Sequence, residues 1–289
     1  MAIVRRIINQ GSLLMKKFFA TALAVLSMNS FAQSYMVLDN GIVLTTTKTG
    51  DVNDLSNFAL PRDVRISGGQ FFVQHDKLVT VNNSGLFTTD LTVRSFKGKG
   101  MNYIIDGSQL ITISAEGFYT KLKDDAFKKS DRFGGVFFTA NNDEKKKTAD
   151  LYTVGANGLY TKIMLDGFNA FDITLMGGNY FFVKGVPYTV ATTGFIYPKT
   201  DFNIPSVKMM GGNFFIDKEN TLYTVAESGF LILPVVLPAE LKISEITKVG
   251  ANYMLDNENR LFTVDHQGNV QFKLVPGHDL KKVKLLSTK

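Results

Sequence analysis

A short phrase returns seven times along this chain: an apolar residue, one further residue, a Thr, and a Gly five positions after that Thr. It is read at Val43-Leu44-Thr45 with Gly50, Leu78-Val79-Thr80 with Gly85, Leu110-Ile111-Thr112 with Gly117 and Leu151-Tyr152-Thr153 with Gly158. Pro187-Tyr188-Thr189 with Gly194, Leu222-Tyr223-Thr224 with Gly229 and Leu261-Phe262-Thr263 with Gly268 complete the set. The glycines step by 35, 32, 41, 36, 35 and 39 residues. A period of this length marks one supersecondary unit that buries its faces only by stacking on its neighbours.

An aromatic run precedes each phrase, usually behind a Gly-Gly: Gly68-Gly69-Gln70-Phe71-Phe72, Gly134-Gly135-Val136-Phe137-Phe138, Gly177-Gly178-Asn179-Tyr180-Phe181-Phe182 and Gly211-Gly212-Asn213-Phe214-Phe215. Gly250-Ala251-Asn252-Tyr253 is a weaker copy, and Tyr35 and Tyr103 hold the same place in the remaining two. Turn residues separate the two runs, as at Asp39-Asn40-Gly41 and Asp106-Gly107. Short β-branched and aromatic runs punctuated by Asp, Asn and Gly read as strands joined by hairpins. Each unit offers about four: the aromatic run, the Thr run, the run after the Gly, and one before the next Gly-Gly such as Val207-Lys208-Met209-Met210. The expected fold is all-β, a seven-bladed β-propeller of four-stranded antiparallel blades with its termini adjacent at ring closure. The sequence after Ala32 shows no helical periodicity of useful length.

Both ends favour closure. The chain resumes after Ala32 at an aromatic run, Tyr35-Met36-Val37-Leu38, that lacks the strand preceding it elsewhere; Leu280-Lys281-Lys282-Val283-Lys284-Leu285-Leu286 matches the missing strand. Either one blade is shared between the termini or the ends meet between whole blades. Blade sheets are covered on both faces, so each repeated Thr is expected to be buried, its hydroxyl bonded to a backbone group within or between blades. Each terminal Gly suits a turn that wants positive φ, and the Gly-Gly pairs suit close backbone approach or a bulge.

Residues 15–32 hold Met15-Lys16-Lys17, an apolar stretch from Phe18 to Leu26, and Ser30-Phe31-Ala32. That is the pattern of a secretory signal, residues 1–32, with translation expected to start at Met15 and cleavage after Ala32. Residues 33–289 then form a single propeller domain, periplasmic or secreted. The apolar stretch is too short to span a bilayer, and no Cys follows it to carry a lipid. Four of the 32 basic side chains (Arg5, Arg6, Lys16 and Lys17) and none of the 26 acids lie in residues 1–32, leaving 28 bases against 26 acids. Nucleic-acid binding needs a dense cationic face, for which this balance gives no compositional support.

Chemistry-bearing residues are sparse. With no Cys there is no disulfide or thiolate. His75, His266 and His278 fall in different units with no ligand spacing and read as separate surface residues. Asp217-Lys218-Glu219-Asn220 and Asp256-Asn257-Glu258-Asn259 lack the Gly and distant Glu of a calcium loop and read as hairpin turns. No Gly-x-Ser-x-Gly elbow occurs. No catalytic, cofactor-binding or metal residue is therefore assigned, no cofactor is expected, and the binding residues stay open. Two departures from the repeat stand out. Asn141–Asp150 lengthens one hairpin and is expected to be a solvated rim loop; Leu231–Pro238, apolar and twice interrupted by Pro, suits an outer edge.

Val249-Gly250-Ala251-Asn252-Tyr253-Met254-Leu255-Asp256, followed by Leu261-Phe262-Thr263-Val264, resembles the cadence of tachylectin-like and quinoprotein-type propeller repeats. The resemblance extends over about residues 34–287, and such families include lectins and assembly scaffolds of the bacterial envelope. The chain has no Trp, which many of those repeats use for packing or sugar stacking, so none of their binding residues is carried over. The expected role is that of a non-catalytic, monomeric module that binds a protein partner through one rim. A glycan-binding propeller is the alternative, followed by a hydrolase with its site at the central channel.

Overall fold

Extended segments alternate with tight turns throughout the computed structural model, which describes residues 34–55, 64–82, 84–191, 194–233 and 237–287. The expected leader, residues 1–32 with Met15, lies outside the described residues. Blade one begins with β1 (Ser34–Leu38), β2 (Val43–Thr46) and β3 (Val52–Leu55). Blade two is β4 (Val64–Ser67), β5 (Phe71–Gln74), β6 (Lys77–Asn82) and β7 (Gly85–Thr92). Blade three is β8 (Gly98–Lys99), β9 (Tyr103–Asp106), β10 (Gln109–Ile113) and β11 (Tyr119–Lys123). Blade four is β12 (Phe133–Gly134), β13 (Phe137–Asp143), β14 (Thr148–Val154) and β15 (Tyr160–Ile163). In blade five come β16 (Ile173–Met176), β17 (Tyr180–Val183), β18 (Val186–Val190) and β19 (Ile196–Pro198). In blade six come β20 (Val207–Met210), β21 (Phe214–Asp217), β22 (Leu222–Val225) and β23 (Leu231–Ile232). Blade seven holds β24 (Ile246–Val249), β25 (Tyr253–Asp256), β26 (Leu261–Val264) and β27 (Val270–Lys273), after which β28 (Val283–Leu286) returns to blade one.

Each blade is a four-stranded antiparallel sheet, and the chain is a seven-bladed β-propeller. The shared-blade alternative is the one realised: blade one runs β28-β1-β2-β3, with Met36 opposite Leu286 and Val37 opposite Leu285. Backbone bonds from Asp39 N to the Lys282 carbonyl (2.8 Å) and from Ser287 N to the Tyr35 carbonyl (2.8 Å) extend the junction. Helical structure among the described residues is confined to four short 3-10 turns, each leading into a blade's first strand.

The core consists of seven apolar clusters, one at each interface between blades. At the closing interface Met36, Leu38 and Leu44 of blade one pack against Tyr253, Leu255 and Leu261 of blade seven, with Leu280 and Val283 joining them. The aromatic runs supply much of this volume because both faces of a blade are covered, so alternation in and out gives way to continuous burial.

All seven repeated Thr are buried. Thr189, Thr224 and Thr263 donate to the carbonyls of Gly229, Gly268 and Gly50 at 2.6, 2.8 and 3.0 Å. In each case the partner is the turn glycine of the next blade, and the last of them crosses the closure. The expectation of a bonded hydroxyl fails at the other four: Oγ1 of Thr45, Thr80, Thr112 and Thr153 has no hydrogen-bond partner among the described residues. The contact with the next turn persists at Thr80, whose Oγ1 would lie 2.9 Å from a Cβ on Gly117, without a hydrogen bond among the described residues. The turn glycines thus serve a second purpose beyond positive φ, since a side chain at Gly50 would meet Thr263 Oγ1 at 2.7 Å.

Candidate functional site

The first strand of each blade is innermost, because only these strands converge: β12 lies against both β8 and β16. The turns after them carry the Gly-Gly pairs, and here the blades meet backbone to backbone. Met101 N donates to the Gly135 carbonyl (2.5 Å), Gly178 N to that of Gly212 (2.6 Å), and Gly212 N to that of Ala251. A Cβ on Gly135 would fall 1.4 Å from the Gly177 carbonyl oxygen, so no larger residue fits. The close approach expected of these glycines is what the structure has; the bulges lie instead within the first strands, at Val64/Ile66, Ile173/Leu175, Val207/Met209 and Ile246/Lys248.

Met101 fills the space where the glycine turns converge. Its side chain approaches the place of a Cβ on Gly69 in blade two and on Gly212 in blade six, and it clusters with Met176 and Ala251. Being itself buried, it forms a floor between these turns; the opposite mouth of the ring lies where each first strand begins. At that mouth a cavity of ≈ 290 Å³ is walled by Asp131, Arg132, Phe133, Thr174, Leu175 and Met176. A second, of ≈ 390 Å³, lies behind the same β16 bulge between Leu175, Phe182, Lys184, Asn203, Ile204 and Pro205.

Two sets of polar anchors went unnoticed in the sequence. Asn102, Asn179 and Asn213, each just before an aromatic run, donate Nδ2 to paired carbonyls at the end of the next blade's third strand: Val154 and Gly155, Val225 and Ala226, Val264 and Asp265. Asn252 does the same across the closure, to Thr47. Tyr35, Tyr103, Tyr180 and Tyr253 donate their hydroxyls to the carbonyls of Phe71, Phe137, Phe214 and Tyr35 in the following blade. Burial pushes all four phenols upward from their ordinary pKa, so they remain hydrogen-bond donors. The signal that could have found these anchors was the repeated Asn-aromatic order.

The three histidines sit apart. His75 lies in a turn between second and third strands, with positive φ; His266 lies in a turn at the glycine end; His278 bonds Asp54 at 2.7 Å beside the closure. No group of three or more His, Asp or Glu among the described residues is placed to hold a metal ion. Asp256 Oδ1 accepts from the Glu258 and Arg260 amides (2.9 and 2.8 Å) and Asp217 Oδ1 from the Thr221 amide (2.7 Å), the turn-closing geometry expected of these acids. Asn141–Asp150 lengthens its hairpin as expected, with 144–148 exposed; β13 and β14 run on into it as paired strands, and Lys147 covers the Phe171 ring at 4.9 Å. In the apolar run, Leu231 and Ile232 form the outermost strand of blade six, Leu233 is exposed, and residues 234–236 lie outside the described residues.

On the glycine end, the residue after the turn glycine is Phe118, Leu159, Phe195 and Phe230 in blades three to six, exposed by 76, 61, 59 and 66%. The same position holds Asp51 in blade one and Asn269 in blade seven. Tyr197 adds a ring beside the Gly229 turn, and Lys199 Nζ lies over both Tyr197 and Phe230 at 5.2 and 5.8 Å. An apolar arc therefore follows four consecutive blades on one rim and gives way to polar residues at the closure.

No helix among the described residues is long and apolar enough to cross a membrane. No family model matches the chain, and no curated protein matches it. Among solved structures it is similar to a streptogramin B lyase, at 12% identity and TM-score 0.35 over 85% of this chain and 95% of that one. It is similar to the extracellular domain of the putative one component system BT4673 from B. thetaiotaomicron, at 12% identity and TM-score 0.34 over 84% of this chain and 38% of that one. A third likeness is to BamB from Moraxella catarrhalis, at 12% identity and TM-score 0.27 over 82% of each chain.

Proposed function

We propose that this chain is a non-catalytic module, acting in the periplasm or outside the cell, that binds a protein partner across the rim carrying the turn glycines. The observation that carries this reading is the arc of Phe118, Leu159, Phe195 and Phe230, each a large apolar side chain held in water at the equivalent place of its blade. A chain whose blades are otherwise covered on both faces has no packing reason to present them, and aromatic anchors of this kind supply much of the energy of protein interfaces.

The test is a comparison of the intact protein with a Phe195→Asp/Phe230→Asp variant, both immobilised and exposed to envelope extract and to a glycan array. Both side chains are exposed, so the variant is expected to melt like the parent. A protein retained by the parent and lost by the variant supports the reading. Glycan binding that is unchanged in the variant, with no protein retained by either, would remove it.

A further inference from the structure

The first strands share one exposed position at the mouth of the channel. Six residues before the first aromatic of blades two to seven stand Arg65, Lys97, Asp131, Thr174, Lys208 and Thr247, and the register of β28 places Lys284 at the equivalent point of blade one. All seven are exposed, although the strands they begin are the innermost of the ring. Neighbouring blades cover both faces of an innermost strand, so an exposed side chain at its start lies at the channel mouth. Four of the seven are cations and one is a carboxylate.

These side chains are held in place. Arg65 pairs with Asp76 and donates to the Arg94 carbonyl (2.7 Å). Lys97 Nζ donates to the Lys128 carbonyl (2.6 Å) and Lys208 Nζ to Asn220 Oδ1 (2.7 Å). The latter two bond neutral oxygens and lose freedom. The single acid, Asp131, is occupied by Thr139, Asn142 and Arg132. Around this ring the turns between second and third strands carry both signs, Asp39, Asp106, Glu219 and Glu258 beside Lys145, Lys147, Lys184 and Lys218, so the cations shared by position are those of the first strands. Cations held at one level of the ring offer a short acidic segment several charge-assisted contacts at once. Inside the mouth, the apolar wall of Leu175 and Met176 offers room for an uncharged side chain above the Met101 floor.

We propose that the channel mouth is a second binding site, which takes an acidic peptide segment of a protein partner, its carboxylates on Lys97, Lys208 and Lys284 and an apolar side chain against Leu175 and Met176. This extends the protein-binding reading to the end of the ring opposite the apolar arc and does not depend on that arc.

The experiment is fluorescence anisotropy on the full chain with a short labelled peptide of alternating Glu and Leu, beside the matching Lys-Leu peptide and heparin. The Glu-Leu peptide is expected to bind best, more weakly as salt rises. Lys208→Glu/Lys284→Glu should lose about tenfold or more in affinity, and Lys208→Gln/Lys284→Gln should lose less. Lys121→Glu/Lys123→Glu, on the outermost strand β11, should change it little, and Phe195→Asp/Phe230→Asp not at all. Should the Glu pair fail to fold, the Gln pair decides. Equal affinity in parent and ring variants, an equal loss in the β11 control, or preference for heparin would overturn the proposal.

Discussion

Thr263 and Thr80 occupy equivalent places in their blades, yet they differ: Thr263 donates to the Gly50 carbonyl at 3.0 Å while Thr80 Oγ1 is buried without a hydrogen-bond partner among the described residues. The same residue type therefore contributes with opposite sign at the two positions. Removing a satisfied buried hydroxyl costs about 1 kcal/mol, whereas replacing an unsatisfied one by a methyl of similar size is neutral or favourable. Thr263→Val should lower the denaturation midpoint by that amount, and Thr80→Val should leave or raise it. Equal losses from both would show that the hydroxyl bond is not what distinguishes them. The repeated spacing of Thr and Gly was plain in the sequence, but the pairing was not, because the Gly that matters belongs to the following blade.

Within the elements, the first strands are less completely buried than the second strands beside them, although they lie innermost. Lys99 lies on β8, half-buried, and burial pushes its ammonium down to about 8. A base with a lowered folded pKa destabilises the fold while charged. That cost is present in full below about pH 8 and fades as pH rises toward the unfolded value, through the range where only the native state has lost its proton. The parent should gain stability between about pH 8 and 10.5, and Lys99→Met should not. Near neutral pH the variant should be the more stable of the two, on the order of 1 to 3 kcal/mol at most. Urea titrations across that pH range read both effects, and parallel curves would refute the assignment. The strand pattern itself was legible, since Phe, Tyr, Val and Thr in short runs leave few other options. Which strand faced the axis was not, because a basic residue at Lys208 and one at Lys121 look alike until the blades are set in a circle. The apolar arc was hidden for a related reason: Phe118 and Phe230 each begin an expected strand, and nothing local says that this position looks outward.

For the whole molecule, β28 decides whether the ring exists. It supplies the innermost strand of blade one, and with Leu280 it covers Met36 and Leu38. Ending the chain at Gly277 should leave β1 with an unpaired edge and cost roughly 3 kcal/mol or more. The truncated protein is expected to form larger species in size-exclusion chromatography and to melt lower, and a synthetic peptide of residues 279–289 should restore the parent behaviour. A truncated chain that melts like the parent would mean that the ring does not need its clasp. Repetition announced the number of blades and the matched ends announced their meeting. The sharing of a blade needed the β1–β28 register, which no single segment encodes.

That clasp also sets a schedule. Blade one stays three-stranded until residues 283–286 are delivered, so its earliest-made portion must wait for its latest-made portion before either can settle. A polypeptide organised in this way has no completed circle to unwind while it is still being synthesised.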